Sequence, residues 1–462
     1  MMPVPALADE STAAELAAEL PARASPGISR VPSLRPGVLL TILAGHVVLG
    51  LLMHQYRVIG TFHAWGTLLI GVVWAINGRS IHRIAYLVAY VAGAEVLWRM
   101  TNAGVVWEFG KYATALILLL AIQFVRVRRR PSPALLCFAL LVPSVLLTVS
   151  GSTLERIRHD VSFNMSGPLA LAVAIAFFAR VRLSREQLQW LIVWSLAPIM
   201  ATLAVAISGV SSLKILQSVT ESASSMTGGF GPNQVSTILG FGALIAFAAA
   251  TIFLQRRQRI LRWCMIAIAI ALAGYSAITL SRSGIYLATG SGLVASLTLL
   301  RDRRSRLILL STVGIVFLIG TYVVFPFLDS ATGGALSRRF SDTGLTGRDV
   351  IMRSDLRIWW EHPLLGVGPG RAAAERVGVM GRGAAAHTEF TRLLAEHGLL
   401  GAAAMLAVVS ALWRRFRLTH TPRFRALILA LFTFSALYMT TTGMRTVLPA
   451  FALGLAFSRF DE

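Results

Sequence analysis

Roughly fourteen apolar segments of about 14 to 22 residues recur along the chain, from 37–53 to 446–459, and no other feature narrows the fold as far. A helix rises about 1.5 Å per residue, so runs of this length suit the hydrocarbon thickness of a bilayer. The balance of residue types agrees: 55% are hydrophobic and 14% charged, and the mean hydropathy is +0.69. A soluble domain needs more polar surface than that. The sequence therefore predicts an all-α polytopic membrane protein with about 12–14 transmembrane helices, several segments being short.

The formal charge is +22. In a soluble chain this balance suggests a nucleic-acid ligand; here the basic residues sit in short clusters between apolar runs, as cytoplasmic anchors do, and no nucleic acid is expected. With a cytoplasmic N-terminus, Arg79 to Arg83, Arg126 to Arg130, Arg180 to Arg185, Arg256 to Arg262, Arg301 to Arg306 and Arg414 to Arg425 all fall on the cytoplasmic side. Both termini are then cytoplasmic. The expected organisation is a disordered cytoplasmic tail over 1–36, a helical bundle over 37–327, a periplasmic loop with short helices over 328–398, and the last transmembrane helices over 399–462. Within the tail, Thr12-Ala-Ala-Glu15 has the form of a capping box. Cys137 and Cys264 lie inside apolar runs and suggest neither a disulfide nor a metal site.

The same topology puts Gly228 to Asn233, Arg282 and the long polar loop outside. The loop carries eight arginines against six carboxylates, an unusual sign for an outer loop. Guanidinium groups bind phosphate as bidentate forks, so an anionic ligand accounts for Arg348, Arg353, Arg357 and Arg371; pairing with the loop's own carboxylates or lipid headgroups is the alternative. Met352, Leu356, Trp359 and Trp360 share one helical face, which predicts a helix lying on the membrane surface and ended by Pro363. Gly366-Val-Gly-Pro-Gly370 is a tight turn that allows close backbone approach.

His387 precedes a short helical pattern with Phe390, Leu393 and Leu394 as its buried stripe. Its side chain can take a proton near neutral pH, or can simply cap the helix. His362 and His397 are poorer candidates, one beside a turn proline and the other within the helix. Arg282, in Ser281-Arg-Ser-Gly284, sits between two apolar runs, where an arginine is costly unless it works or snorkels. Gly231-Pro-Asn233 opens a helix whose free N–H groups can hold phosphate, although the same tripeptide is an ordinary helix start. Glu95 and Arg99, four apart, read as an internal ion pair. No paired acidic metal motif, P-loop or metal-spaced histidine cluster occurs in the outer loops, so no metal or cofactor is expected and arginines would replace Mg²⁺.

In their order, Gly231-Pro-Asn233, Ser281-Arg-Ser-Gly284, Thr346-Gly-Arg348, His362-Pro-Leu-Leu-Gly-Val-Gly-Pro-Gly370 and His387-Thr388 before Gly398 and Gly401 resemble the O-antigen ligase and Wzy-type polymerase superfamily. The resemblance implies a GT-C-like, inverting, metal-independent glycosyltransferase of the bacterial inner membrane. Its donor is a glycan on undecaprenyl diphosphate at the periplasmic face, and its acceptor a growing polysaccharide or lipid A core, amid membrane lipids. Carried over, Arg282 and Arg348 grip the diphosphate, and His387 orients or deprotonates the acceptor hydroxyl. Gly231, Asn233, Arg353, Arg357, Arg371 and Thr388 are then substrate-binding candidates. Thr388 stands where the family pattern usually has Asn, Ser or Gln. A transporter or flippase of a lipid-linked or anionic substrate is the alternative; transporters place polar breaks at mid-membrane in two related halves, whereas this chain gathers them at one face.

Overall fold

Helices account for nearly all of the regular structure in the computed structural model, which describes residues 32–78, 80–125, 133–150, 153–209, 224–254, 257–299, 303–331, 333–341, 347–380, 386–441 and 443–461. The tail reading for 1–31, and Thr346 and Arg382 of the long polar loop, lie outside these residues. Residues 34–462 pack as one unit. Among the described residues, eight helices are long and apolar enough to cross a membrane: Pro36–Gln55, Arg57–Ile76, Leu154–Phe178, Arg185–Ser208, Pro232–Thr251, Arg259–Ile278, Glu389–Arg417 and Pro422–Thr441. The chain is a multi-pass membrane protein. Other apolar segments form shorter or more charged helices, such as Ile81–Met100, Phe109–Phe124 and Leu448–Ala456. The segment read as one helix over 132–150 is two, Pro133–Ala139 and Val145–Val149, with Pro143 in the break.

Burial sorts these helices. Ile81–Met100 is enclosed from Val88 to Met100, whereas the first two spans present Val58, Phe62, Leu69 and other large apolar groups outward. Outward apolar surface of this kind is costly in water and free of cost in lipid. At one end of the bundle, His82 Nε2 meets the Arg182 carbonyl at 2.7 Å, and a short parallel pairing joins Arg182–Leu183 to Arg459–Phe460. Arg415 Nη2 donates to the Ser458 carbonyl there at 2.6 Å. The Met100 end of Ile81–Met100 and the Thr441 end of Pro422–Thr441 lie at the opposite end, with the polar stretch.

That stretch is helical for much of its length. The surface helix Arg348–Glu361 starts after Gly347, which holds a left-handed φ of 76° that an L side chain strains to adopt. Its buried face is Ile351, Ser354, Asp355 and Ile358, and Trp360 is 81% exposed. The apolar stripe of Met352, Leu356 and Trp360 thus faces outward, as contact with lipid requires, and the inward face carries a carboxylate with partners of its own.

The helix Glu389–Arg417 is kinked at Gly398, whose φ and ψ of 59° and −139° are non-helical. A kink frees backbone groups that need new partners. The glycine-rich turn supplies them: Val367 N donates to Ala395 O at 2.9 Å, Gly368 N to Glu396 O at 3.0 Å, and Leu399 N to Pro363 O at 2.8 Å. The expected start of a spanning helix at 399 falls at this kink, inside one continuous element.

Close helix contact explains Ser281-Arg-Ser-Gly284. A Cβ at Gly284 would fall within van der Waals distance of the Ser236 carbonyl and the Ser276 hydroxyl, and one at Gly240 would meet Gly284. The helices Pro232–Ala248 and Arg282–Ser296 therefore touch backbone to backbone. Gly284→Ala is expected to cost about 1–3 kcal/mol through overpacking. A lowered melting temperature in detergent would register this, whereas Gly274→Ala, where a Cβ meets nothing, should leave it unchanged.

Candidate functional site

His387 occupies the turn just before Thr388, whose side chain caps the kinked helix by accepting from Thr391 N at 3.2 Å. Thr391 Oγ1 in turn donates to Asp355 Oδ2 at 2.8 Å, and Asp355 receives Arg376 Nε at 2.8 Å. Asp355 and Arg376 are both buried, so the pair pins the surface helix to Ala372–Met380 and to the kinked helix. Burial pushes the Asp355 carboxyl up, and the Arg376 guanidinium opposes that shift. Arg348, at the start of the surface helix, is thereby held on the His387 side of this junction.

The imidazole itself is half-buried and hydrogen-bonded to the Thr441 carbonyl. That bond fixes the ring and leaves its second nitrogen to accept a proton. Burial, with Arg445 and Arg348 nearby and Arg376 further off in effect, pulls its pKa down to about 4. His387 is therefore neutral through the physiological range. Of the sequence candidates, the structure gathers His387 and Arg348 and adds Arg376 and Arg445.

Arg445 was not singled out by the sequence. It lies in Gly443-Met-Arg-Thr-Val447 between the last two helices, and its Nη2 donates to the Ala386 carbonyl at 3.4 Å. The available signal was an arginine two residues after a glycine in a short polar break between two apolar runs. The loop is gripped from several directions. Arg99 Nη2 donates to Arg445 O at 3.0 Å, Glu95 Oε2 accepts from Val447 N at 2.6 Å, and Lys111 Nζ reaches Met444 O at 3.2 Å. Met444 N donates to Glu389 Oε2 at 3.2 Å.

Arg282 opens the helix Arg282–Ser296, which runs antiparallel to Pro422–Thr441: Thr298 bonds Pro422 O at 3.5 Å at one end, and Gly290 packs on Leu437 further along. This brings Arg282 to the end where Thr441 meets His387. Ser281 Oγ donates to Asn233 Oδ1 at 2.7 Å, just after Gly231, the N-cap of the helix Pro232–Ala248. Gln234 Oε1 next accepts from Arg99 Nη1 at 2.8 Å, so the Gly-Pro-Asn and Ser-Arg-Ser-Gly corners connect to the clamp on the Arg445 loop. Arg353 and Arg357 point outward and approach carboxylates of their own helix, Asp349 at 3.6 Å and Glu361 at 2.9 Å. Arg371 donates to the Ser150 carbonyl.

A cavity of about 390 Å³ lies beside this junction, walled by Lys111, Asp160, Asn164, Arg376, Arg392 and Arg445. A narrower apolar cleft of about 110 Å³, lined by Phe138, Leu171, Phe390 and Met405, shares Glu389 and Met444 with it. One space suits polar and charged groups; its neighbour suits hydrocarbon.

The class of protein defined here is a helical membrane protein with a histidine and several arginines converging beside a polar cavity. Residues 267–406 match the family model described as O-antigen ligase. No curated protein matches the chain. The match bears out the resemblance carried by the motifs, over the segment that holds Arg282, Arg348 and His387, and it supports a membrane enzyme that ligates or polymerises glycans.

The electrostatics of His387 are directly measurable. Its neutral form reacts with diethyl pyrocarbonate, so the peptide-resolved modification rate should rise with pH around a midpoint near 4. Arg348→Gln removes a cation that disfavours imidazolium, so the midpoint should move upward toward the ordinary 6.5.

Proposed function

We propose that this protein transfers a glycan from a polyprenyl diphosphate, undecaprenyl diphosphate in a bacterial inner membrane, to an acceptor hydroxyl at the periplasmic face. The acceptor is a growing polysaccharide or lipid A core. The observation that carries the reading is the convergence of His387 with Arg348, Arg376 and Arg445 beside a polar cavity that adjoins an apolar cleft. A lipid-linked sugar diphosphate needs both kinds of space.

In the reaction, the acceptor oxygen attacks the anomeric carbon. The bond from that carbon to the diphosphate oxygen breaks, its electron pair stays on the diphosphate, and the configuration inverts. His387 takes the hydroxyl proton through the ring nitrogen not engaged by Thr441. Arg348 and Arg282 face the charge that develops on the leaving group, where fixed donors in a water-poor site are effective. No step calls for a metal.

The low basicity of His387 fits this sequence of events. Arginines that depress the imidazole also bind the donor, and a bound diphosphate opposes their field. The ring becomes a better base once the donor is seated. Asn233 bonds Ser281 beside Arg282 and Thr388 caps the helix behind His387; in this reading both act on substrate by positioning those side chains. Gly231 and Arg371 border the same end of the bundle. Arg353 and Arg357, on the outward face, meet headgroups or the diphosphate as it arrives.

His387→Ala should lower turnover by about 10²–10⁴-fold. Arg348→Lys should be nearly as damaging, because the ammonium keeps charge and loses the fork. Complementation of a gene deletion, with surface polysaccharide run on a gel and protein amount checked by blot, tests both. Loss of long chains with single repeats still attached denotes a polymerase, and loss of all attachment denotes a ligase. Normal polysaccharide in both variants would refute the assignment.

A further inference from the structure

We propose that Arg445 is a third diphosphate-binding arginine of this site, set in place by a loop that the N-terminal helices lock. The proposal rests on the donor chemistry just given and adds a residue outside the segment matched by the family model.

Partner chemistry distinguishes Arg445 from the other cations of the cavity. Lys111 pairs with Glu108, Arg376 with Asp355, and Arg392 with both Glu389 and Glu396. Arg445 has no carboxylate within ion-pair distance among the described residues, and it donates to the Ala386 carbonyl. It is nevertheless half-buried. Burial pulls the guanidinium below its ordinary value, and the opposing effects of Tyr438 and Glu389 do not restore it. A diphosphate in the cavity that Arg445 lines would supply negative charge in the bidentate geometry a guanidinium favours.

The backbone around Arg445 is held far more firmly than a loop at a helix end requires. Four charged side chains take part. Glu95 accepts from Val447 N at 2.6 Å and Arg99 donates to Arg445 O at 3.0 Å. Lys111 and Glu389 take the two backbone groups of Met444, each at 3.2 Å. Three of these four residues come from helices that end before residue 125. An arginine meant to snorkel outward to headgroups gains nothing from such fixation; one that must meet a leaving group at a defined point gains a good deal. The Ala386 bond sets the guanidinium one residue from His387, so the leaving group and the attacking hydroxyl are served from adjacent positions.

The test uses purified full-length protein in detergent micelles, with farnesyl diphosphate as the probe and inorganic pyrophosphate as competitor, binding being read by calorimetry at pH 7. Arg445→Gln should weaken farnesyl diphosphate at least tenfold, and Arg445→Lys about threefold. The diethyl pyrocarbonate midpoint of His387 should also move upward in Arg445→Gln and stay low in Arg445→Lys. If Arg445→Gln does not purify as folded protein, Arg445→Lys carries the binding test and Glu95→Gln, which loosens the loop, is expected to weaken the probe as well. Arg348→Gln separates the two levels of the argument. Weaker binding in Arg348→Gln with Arg445→Gln within twofold of wild type would overturn the role of Arg445 alone. A wild-type protein that does not bind the probe, or unchanged binding in both variants, would overturn the donor reading and this one with it.

Discussion

The ion pair between Glu95 and Arg99, at 2.6 Å and almost fully enclosed, is the interaction on which the site end of the bundle depends. Charges inside an apolar bundle are expensive unless each finds several partners. Arg99 finds Gln234, the Trp107 carbonyl and the Arg445 carbonyl besides Glu95, and its guanidinium lies 4.5 Å from the Trp107 ring centre. One side chain thus ties together the turn after its own helix, the start of a mid-chain helix and the last loop. Removing one partner of a buried pair generally costs about 3–5 kcal/mol, because the other charge is stranded. Such a pair serves geometric definition better than it serves stability, and the groups it defines are those facing His387.

A second constraint is the accounting of backbone groups around Gly398. The kink breaks helical hydrogen bonds, and the turn from Pro363 to Gly370 enters the gap with matching donors and acceptors. His397, next to the kink, is buried and meets the Ser144 hydroxyl at 2.5 Å, in the break between two short helices. The interruption in one span therefore faces the interruption in another, and each satisfies part of what the other exposes. The kink also allows the first turns of the helix, with Glu389, Arg392 and Glu396, to face the polar cavity while the rest runs on through apolar surroundings.

The apolar periodicity was enough to read a helical membrane bundle, because in lipid a helix is the one local structure that satisfies its own backbone. The ordered motifs named His387, Arg282 and Arg348 as candidates, and in the structure Arg348 lies near His387. What stayed hidden depends on distance along the chain. Glu95 meets Val447 across a separation of 352 residues, and nothing local to Arg445 announces that contact. The surface helix was legible as a helix, yet its apolar stripe faces outward and Asp355 inward. Arg376 and Thr391, from two other helices, make that orientation favourable. Thr388 was expected as a substrate-binding residue, and in the structure its side chain caps the helix Glu389–Arg417.

The clamp around the last loop has a consequence for the order of synthesis. Glu95, Arg99 and Lys111 leave the ribosome early, while Met444 to Val447 begin 333 residues after Lys111. At ordinary elongation rates the interval is roughly 20 to 70 seconds. Throughout it, three charged side chains sit in the newly inserted helices without the backbone partners they later hold, and the site exists in no form. Nascent and C-terminally truncated chains therefore carry a polar defect within the bundle that the finished chain lacks, and membrane quality control has a physical feature by which to tell them apart.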